Sequence, residues 1–349
     1  MMVNLAAGLR DRGVRVDLVL ADASGPFLPH AQRAGLTIVD LGRGSAMRAL
    51  PSFARYLRHE RPQVIVTTLH HTSVVASLAH LLAGRHGRLF IREATTPSSL
   101  RTNRGPKARV TDALLALAYR YVDGVLAVSD GVCRDLHARG VPLRKIATLY
   151  NPVVTAELRE RAAEDPGHRW FGPDGPRVVL GVGRLRDEKG FSTLLAAFAR
   201  VRKRHDARLV ILGEGEERAR LEALASDLGV ASDVDLPGFV DNPYAYMARS
   251  AVFVLASERE GLPGALIQAM ACGCPVVATD CQSGPAEILA GGRLGALVPV
   301  GDVETMAAAI ARTLVEPPNV EEARRHSLRY SSERIIAAHV EHVEAVLSR

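Results

Sequence analysis

Cysteine is scarce in this sequence, with four among 349 residues. That is too few for a disulfide framework and agrees with a reducing compartment. No apolar run approaches the ~18 residues that a membrane-spanning helix needs. The opening MMVNLAAGLRDRG lacks the basic start, long apolar middle and small-residue cleavage site of a secretory leader, so cytoplasmic residence is expected. Lysine is rare as well, with four against forty arginines. What is present is a globular composition, 47% hydrophobic and 23% charged, which excludes a disordered chain. The length favours two domains, each large enough for its own core.

Charge is unevenly spread. Residues 1–150 hold 21 Lys and Arg against 10 Asp and Glu, while the whole chain is only +6, so the remainder is net negative. A basic half joined to an acidic half points the first half toward an anionic partner. Its basic loop, Arg101, Arg104, Lys107 and Arg109, has no aromatics for stacking on bases. A membrane surface or a lipid phosphate is therefore favoured over nucleic acid. A loop that is merely solvated explains the same residues equally well.

Both halves alternate short apolar strands with helices, the pattern of a parallel α/β sheet. In the first half strands are expected at 14–21, 37–41, 64–68, 89–92, 125–129 and 146–150, with helices at 73–82 and 107–121. The second half restarts with strands at 177–183, 208–213, 233–236, 251–255, 275–279 and 295–298, and helices at 191–204 and 216–228. Proline- and glycine-rich stretches at 165–168 and 172–176 mark the linker. The expectation is two doubly wound, Rossmann-like domains, 1–152 and 153–330, facing a cleft. A closing helix over 332–348 spaces Ile335, Ile336, His339, Val340, Val343 and Leu347 along one face and is expected to pack back on the first domain. Met2, Leu5, Ala6 and Leu9 have helical spacing and Gly13 stops them. The first domain is thus expected to lack its opening strand and glycine-rich loop, as in a truncated chain.

Chemistry concentrates in SEREGLPGALIQAMACGCPVVATDCQSGPAEIL, residues 257–289. Glu258 and Glu260 precede a turn, Gly261, Leu262, Pro263 and Gly264, that opens a helix over 265–271. Pro263 suits the first helical turn, where its missing donor is not needed. The free N–H groups and positive end of that helix make an anion site, commonly for phosphate. Carboxylates beside a phosphate cradle call for hydroxyls on the same ligand, and a sugar nucleotide supplies both. A second loop, GVGRLRDEKG over 181–190, fails as a dinucleotide fingerprint because Arg186 stands where the third glycine belongs. Its cations Arg184 and Lys189 suit a diphosphate instead, with Lys189 as a compact point charge. Two metal readings weigh less than structural ones. Cys272 and Cys274 are too closely spaced for a zinc pair. Asp233-Val234-Asp235 opens a strand, where a solvated entrance is the simpler account.

These segments, with LVILGEGEE (209–217), LPGFVDN (236–242), VLAVSDGV (125–132) and YNPV (150–153), resemble retaining glycosyltransferase family 4. These are the GT-B enzymes also called group 1 glycosyl transferases. The resemblance runs from Met2 onward and is most specific in the second half. It implies transfer of a sugar from a nucleotide donor with retained anomeric configuration, without a cofactor or a required metal. It implies Arg184 and Lys189 on the donor diphosphate, with Gly183 in their loop and amides of Gly261, Leu262 and Gly264 beside them. Backbone of Gly238, Phe239 and Val240 would line the base pocket, and Glu260 would meet the sugar at the reacting centre. The family's second glutamate is replaced by Gln268, whose amide can still hold ribose hydroxyls, and Glu287 matches a further carboxylate near the donor. Acceptor-side candidates are His70 and His71 after the strand at 64–68, with Arg92 and Glu93 after the next. Relatives often follow Arg-Glu with histidine where this chain has Ala94.

The sequence-level expectation is a hexosyl-type transfer to a lipid-linked or glycan acceptor in cell-envelope or exported polysaccharide synthesis, with the enzyme peripheral on the inner membrane face. Two other readings stay open: a nucleotide-binding GT-B module that transfers nothing, and a nucleotide-sugar epimerase on the same fold.

Overall fold

The computed structural model describes residues 2–24, 28–98 and 106–348. It forms two compact units, Met1–Pro152 with Ser332–Arg349, and Val153–Ser331.

The second unit contains the complete sheet. Six parallel strands, β7 (Arg177–Val182), β8 (Ala207–Leu212), β9 (Val234–Gly238), β10 (Val252–Leu255), β11 (Val276–Thr279) and β12 (Ala296–Val298), lie in the order β12-β11-β10-β7-β8-β9. They read as Val/Leu/Ile runs because α8 (Phe191–Arg202), α9 (Arg218–Asp227), α10 (Pro243–Arg249), α11 (Gly264–Ala271) and α13 (Val303–Val315) enclose them, and β10 and β11 are buried throughout. On α8, Phe191, Leu194, Leu195, Phe198 and Val201 recur with helical spacing and all enter this core. Shorter helices α7 (Leu158–Ala163), α12 (Pro285–Ile288) and α14 (Glu321–Ser327) complete the unit. Strand order reverses between β7 and β10, which pair directly through Val179 with Val252 and Leu180 with Phe253. In doubly wound sheets that reversal opens a crevice beyond the strands' carboxyl ends, where ligands bind.

The first unit is built differently from one continuous sheet. β1 (Asp17–Leu20) and β2 (Thr37–Asp40) form a two-stranded parallel sheet. A separate parallel sheet carries β3 (Val64–Thr68), β4 (Arg88–Glu93), β5 (Gly124–Ala127) and β6 (Ile146–Thr148) in that order. Among the described residues no strand bridges β1 and β3, so each keeps an unpaired edge. Around the sheets lie α1 (Met2–Arg10), α2 (Leu28–Arg33), α3 (Ala46–Glu60), α4 (His70–Leu82), α5 (Pro106–Tyr121), α6 (Asp130–Ala138) and α15 (Ser332–Leu347). α15 packs on α1. A Cβ on Gly8 would lie 2.0 Å from Ile336 Cδ1, so glycine there lets the two helices approach closely.

Two local expectations need correction. Pro263 lies outside the first helical turn. It caps α11 in an extended conformation (ψ 98°), and Gly264 is the first helical residue. Asp233 is an ion-paired group rather than a solvated strand entrance. Arg202 Nε lies 3.0 Å and Arg208 Nε 3.3 Å from its carboxylate, and its partner in the motif, Asp235, lies 3.1 Å from His168 Nε2. Two arginines neutralise Asp233 because α8 ends and β8 begins beside it. The basic loop's Arg101 and Arg104 lie outside the described residues.

Candidate active site

β7 and β10 deliver two loops to the switch point. The loop after β7 runs through Gly183 and Arg184 to a single 3-10 turn at Asp187–Lys189 and ends at Gly190, with φ at +63°. A Cβ on Gly190 would stand 2.1 Å from the Ala256 carbonyl oxygen, so only glycine lets this loop press against the end of β10. The loops are also tied by a hydrogen bond from Glu258 N to the Glu188 carbonyl at 2.9 Å. The result is direct contact between residues 71 positions apart, with Lys189 Nζ donating to Glu260 Oε1 at 2.7 Å.

Glu260 is closely held. Ser257 Oγ donates to the same oxygen at 2.7 Å, and Thr279 Oγ1, on β11, donates to the Ser257 carbonyl at 2.5 Å. The carboxylate is nearly enclosed, with 11% of its side chain exposed against 26% for Lys189. Arg184 is exposed, and among the described residues its side chain has no acidic partner. One cation is thus stored on the carboxylate while the other is free to meet an anion.

The turn before α11 lies beside this pair. Gly261, Leu262 and Pro263 are buried, and Ile267 N donates to the Pro263 carbonyl at 3.4 Å as the helix begins. The Gly264, Ala265 and Leu266 amides therefore precede the helical ladder, the position from which a helix N-terminus binds anions. Gly284, at φ +97°, brings the next loop in: a Cβ there would meet Pro263 Cδ at 2.4 Å. That approach sets the start of α12, which carries the half-buried Glu287, against the turn. Gln268, one helical turn into α11, donates from Nε2 to Tyr244 OH at 3.3 Å. Gly238 ends β9 at φ +93°, followed by Phe239 with 75% of its surface in solvent and a half-buried Val240.

The acceptor-side candidates gather within the first unit. β3 turns into α4 at Leu69, with φ +71°, a conformation that costs a bulky residue on the order of 1 kcal/mol or more. His70 and His71 are therefore the first two residues of α4. His71 is exposed, whereas His70 Nε2 lies 3.2 Å from Glu93 Oε2. Glu93, 3% exposed, also accepts from Tyr119 OH at 2.7 Å. Burial raises the Tyr119 phenol well above its ordinary value, and the Glu93 charge adds to it. Beside them Arg92 bonds to Asn151 Oδ1. Burial lowers its guanidinium to about 10, against the opposing pull of Glu93.

Sequence reasoning missed Ser257, Thr279, Tyr119, Tyr244 and Asn151. Ser257, three residues ahead of Glu260, and Asn151, in the YNPV segment, had a local signal; Thr279, Tyr119 and Tyr244 reach their partners through tertiary contacts. Cys272 caps α11 and burial pushes its thiol up to about 12. Among the described residues no group of three His, Cys, Asp or Glu could hold a metal ion. No helix there is long and apolar enough to cross a membrane.

A switch-point crevice with an exposed arginine, a lysine–carboxylate pair and a helix N-terminus is suited to an anionic ligand. Sequence comparison supplies the family. Residues 176–316 match the profile "Glycosyl transferases group 1", and residues 1–152 match "Glycosyl transferase 4-like domain". The chain is 33% identical over 259 residues to N-acetylgalactosamine-N,N'-diacetylbacillosaminyl-diphospho-undecaprenol 4-alpha-N-acetylgalactosaminyltransferase of Campylobacter jejuni, covering 74% of this chain and 68% of that one. It is 38% identical over 210 residues to the lipopolysaccharide core biosynthesis glycosyltransferase LpsE of Rhizobium meliloti, covering 60% of this chain and 59% of that one. Among solved structures, Anabaena HepE in complex with UDP superposes with a TM-score of 0.80 at 18% identity, over 99% of this chain and 95% of that one. The lipopolysaccharide outer core galactosyltransferase WaaB does so with 0.76 at 19%, over 99% and 94%. The chain belongs to the group 1 glycosyl transferases and has the GT-B fold. The aligned stretch spans only 59% of the Rhizobium relative's own length.

Proposed function

We propose that this chain transfers a hexosyl-type sugar from a nucleoside-diphosphate donor to a lipid-linked or glycan acceptor, with retention of anomeric configuration, in cell-envelope polysaccharide or glycolipid synthesis. The observation that carries the reading is the Lys189–Glu260 contact of 2.7 Å at the switch point, with Arg184 unpaired on the same loop. The Campylobacter and Rhizobium relatives, named for diphospho-undecaprenol and lipopolysaccharide core substrates, favour the acceptor class. HepE in complex with UDP favours the donor class.

The roles follow from charge. Arg184 and the α11 amides take the diphosphate, and Lys189 swings between Glu260 and the β-phosphate. As the sugar–phosphate bond lengthens, negative charge grows on the departing diphosphate, and these groups stabilise it where it forms. The leaving phosphate oxygen accepts the acceptor's proton, so the protein needs no separate base on that face. Glu260, held by Ser257, orients the sugar hydroxyls, and Gln268 serves the ribose. Two cations on the diphosphate leave the reading without a required metal or cofactor. His70, fixed by Glu93, stands on the acceptor side, and the reaction belongs at the cytoplasmic membrane face.

The test is nucleotide release from UDP-, GDP- and ADP-sugars, with and without a membrane lipid extract. Release that depends on the extract and persists in EDTA supports the reading. Tight nucleotide binding with no release from any donor would instead identify a binding module.

A further inference from the structure

The loops after β8 and β9 meet the loop after β7 on one edge of the second unit's sheet. Gly213 N donates to the Gly238 carbonyl at 2.8 Å, and Leu185 N donates to the Glu214 carbonyl at 2.9 Å. Gly213 has φ at +140°, and a Cβ there would lie 1.9 Å from the Gly183 carbonyl oxygen. Backbone thus joins the loop that carries Arg184 to the one that carries Gly238. The β8–β9 pairing is irregular here: Val210 faces Asp235 while Leu212 faces Gly238, so β9 holds one residue more than β8 over this stretch. That is a bulge at Leu236 and Pro237, a device that re-aims what a strand presents.

One side chain ties the bulge down. Arg218, the first residue of α9, donates from Nη1 to the Leu236 carbonyl at 3.0 Å, while Nε and Nη2 grip the Glu214 carboxylate at 3.0 and 2.7 Å. Nη2 also lies 3.5 Å from the Gly213 carbonyl, and Nη1 3.1 Å from Glu222 Oε1. A Cβ on Gly238 would stand 2.8 Å from Glu214 Oε1, so the clamped carboxylate lies against the backbone that leads into Phe239 and Val240. Helix stability does not account for this arginine. It stands at the positive end of α9, in a first turn without an acidic residue, where a cation opposes the helix dipole. An ordinary ion pair along the helix would satisfy Glu222 alone and leave Leu236 untouched. Only a planar fork can hold a carboxylate by two bonds and keep a donor for a carbonyl, and an ammonium has no such fork.

We infer that Arg218 is a positioning residue for nucleobase selection. The nucleoside-diphosphate reading, on which this inference rests, puts the base against Gly238, Phe239 and Val240. Arg218 acts on the base through them, by fixing where the bulged segment stands. The backbone groups after the bulge then match one base edge and leave a mismatched edge with unpaired polar groups, which is what makes such discrimination steep. The diphosphate, held by Arg184 and the turn before α11, is outside its reach.

Titration calorimetry of the whole chain with UDP, GDP and ADP reads the preference as the ratio of the weakest to the tightest Kd. A general loss of fold or of diphosphate binding weakens all three alike and leaves that ratio unchanged. The wild type is expected to prefer one nucleotide by more than about tenfold. Arg218→Leu is expected to shrink the ratio by about tenfold or more, the scale of one hydrogen bond to a charged group. If Arg218→Leu does not fold or binds nothing, Arg218→Lys decides with the same expectation, because one ammonium cannot span Glu214 and Leu236. Glu222→Gln leaves that span intact and is expected to keep the wild-type ratio. An unchanged ratio in the arginine variant, an equal loss in Glu222→Gln, or no preference in the wild type would overturn the inference while the donor reading stands. Failure of the donor reading looks different: the wild type then binds none of the three, and this inference falls with it.

Discussion

Removing the charge at Glu260 and at Lys189, singly and together, perturbs the centre of the site at known geometry. At 2.7 Å the gross attraction in a partly screened protein environment is about 6 kcal/mol. Most of that is offset by desolvation, because Glu260 is nearly enclosed and Lys189 about three-quarters so. The two single changes are not equivalent. Glu260→Gln keeps an oxygen for Lys189 and Ser257, and should cost about 1 kcal/mol of stability. Lys189→Met takes the cation from a carboxylate with 11% exposure that still accepts from Ser257 Oγ, and should cost about 2–3 kcal/mol. The double variant should cost less than the sum, with a coupling of about 1–2 kcal/mol. Urea unfolding of the four proteins at neutral pH measures this directly. Additivity within about 0.5 kcal/mol would refute the reasoning, and so would a larger loss from Glu260→Gln than from Lys189→Met.

Two further outcomes follow from single contacts. Gln268→Glu should retain turnover within a few-fold in a steady-state assay, since Tyr244 OH can donate to the new carboxylate as Gln268 Nε2 now donates to it. Glu260→Gln in the same assay should lose on the order of 100-fold, and equal damage from both would mean that the two roles are exchanged. His339 is buried in α15 with Nδ1 on the Ile335 carbonyl; burial holds its pKa below the ordinary value, against that bond, with Arg92 and His342 lowering it further. The fold thus prefers the neutral ring. Its stabilising contribution is complete above the unfolded pKa of about 6.5 and is lost as pH falls through and below it. Thermal unfolding should therefore show a drop in Tm on acidification that a His339→Gln variant shows less of.

Much of this architecture is legible in the residues because parallel strands buried on both faces read as unbroken aliphatic runs. The run at 64–68 coincides with β3, and 177–183 exceeds β7 by one residue. The glycines at 183, 190, 261 and 264 also flag the two switch-point loops, and at Gly190 the approach of the Ala256 carbonyl excludes a side chain. Pairing across distance is what local pattern does not carry. Nothing near position 119 announces that a phenol on α5 will meet Glu93, or that Arg202 and Arg208 will converge on Asp233. The division of the first unit into two sheets is likewise a matter of which edges meet, which strand periodicity leaves open. Pro263 shows a finer limit: it is tolerated at either of two adjacent positions at a helix start, and only the backbone distinguishes them.

The central claim is that the loops after β7 and β10 form a diphosphate site. Titration calorimetry with UDP, GDP and ADP, on the wild type and on Arg184→Ala, tests it most directly. One nucleoside diphosphate at least should bind, and Arg184→Ala should weaken that binding by about 2–4 kcal/mol, or roughly 30- to 1000-fold, as for losing one charged donor to a phosphate oxygen. Binding of none of the three, or equal affinity in the variant, would contradict the account.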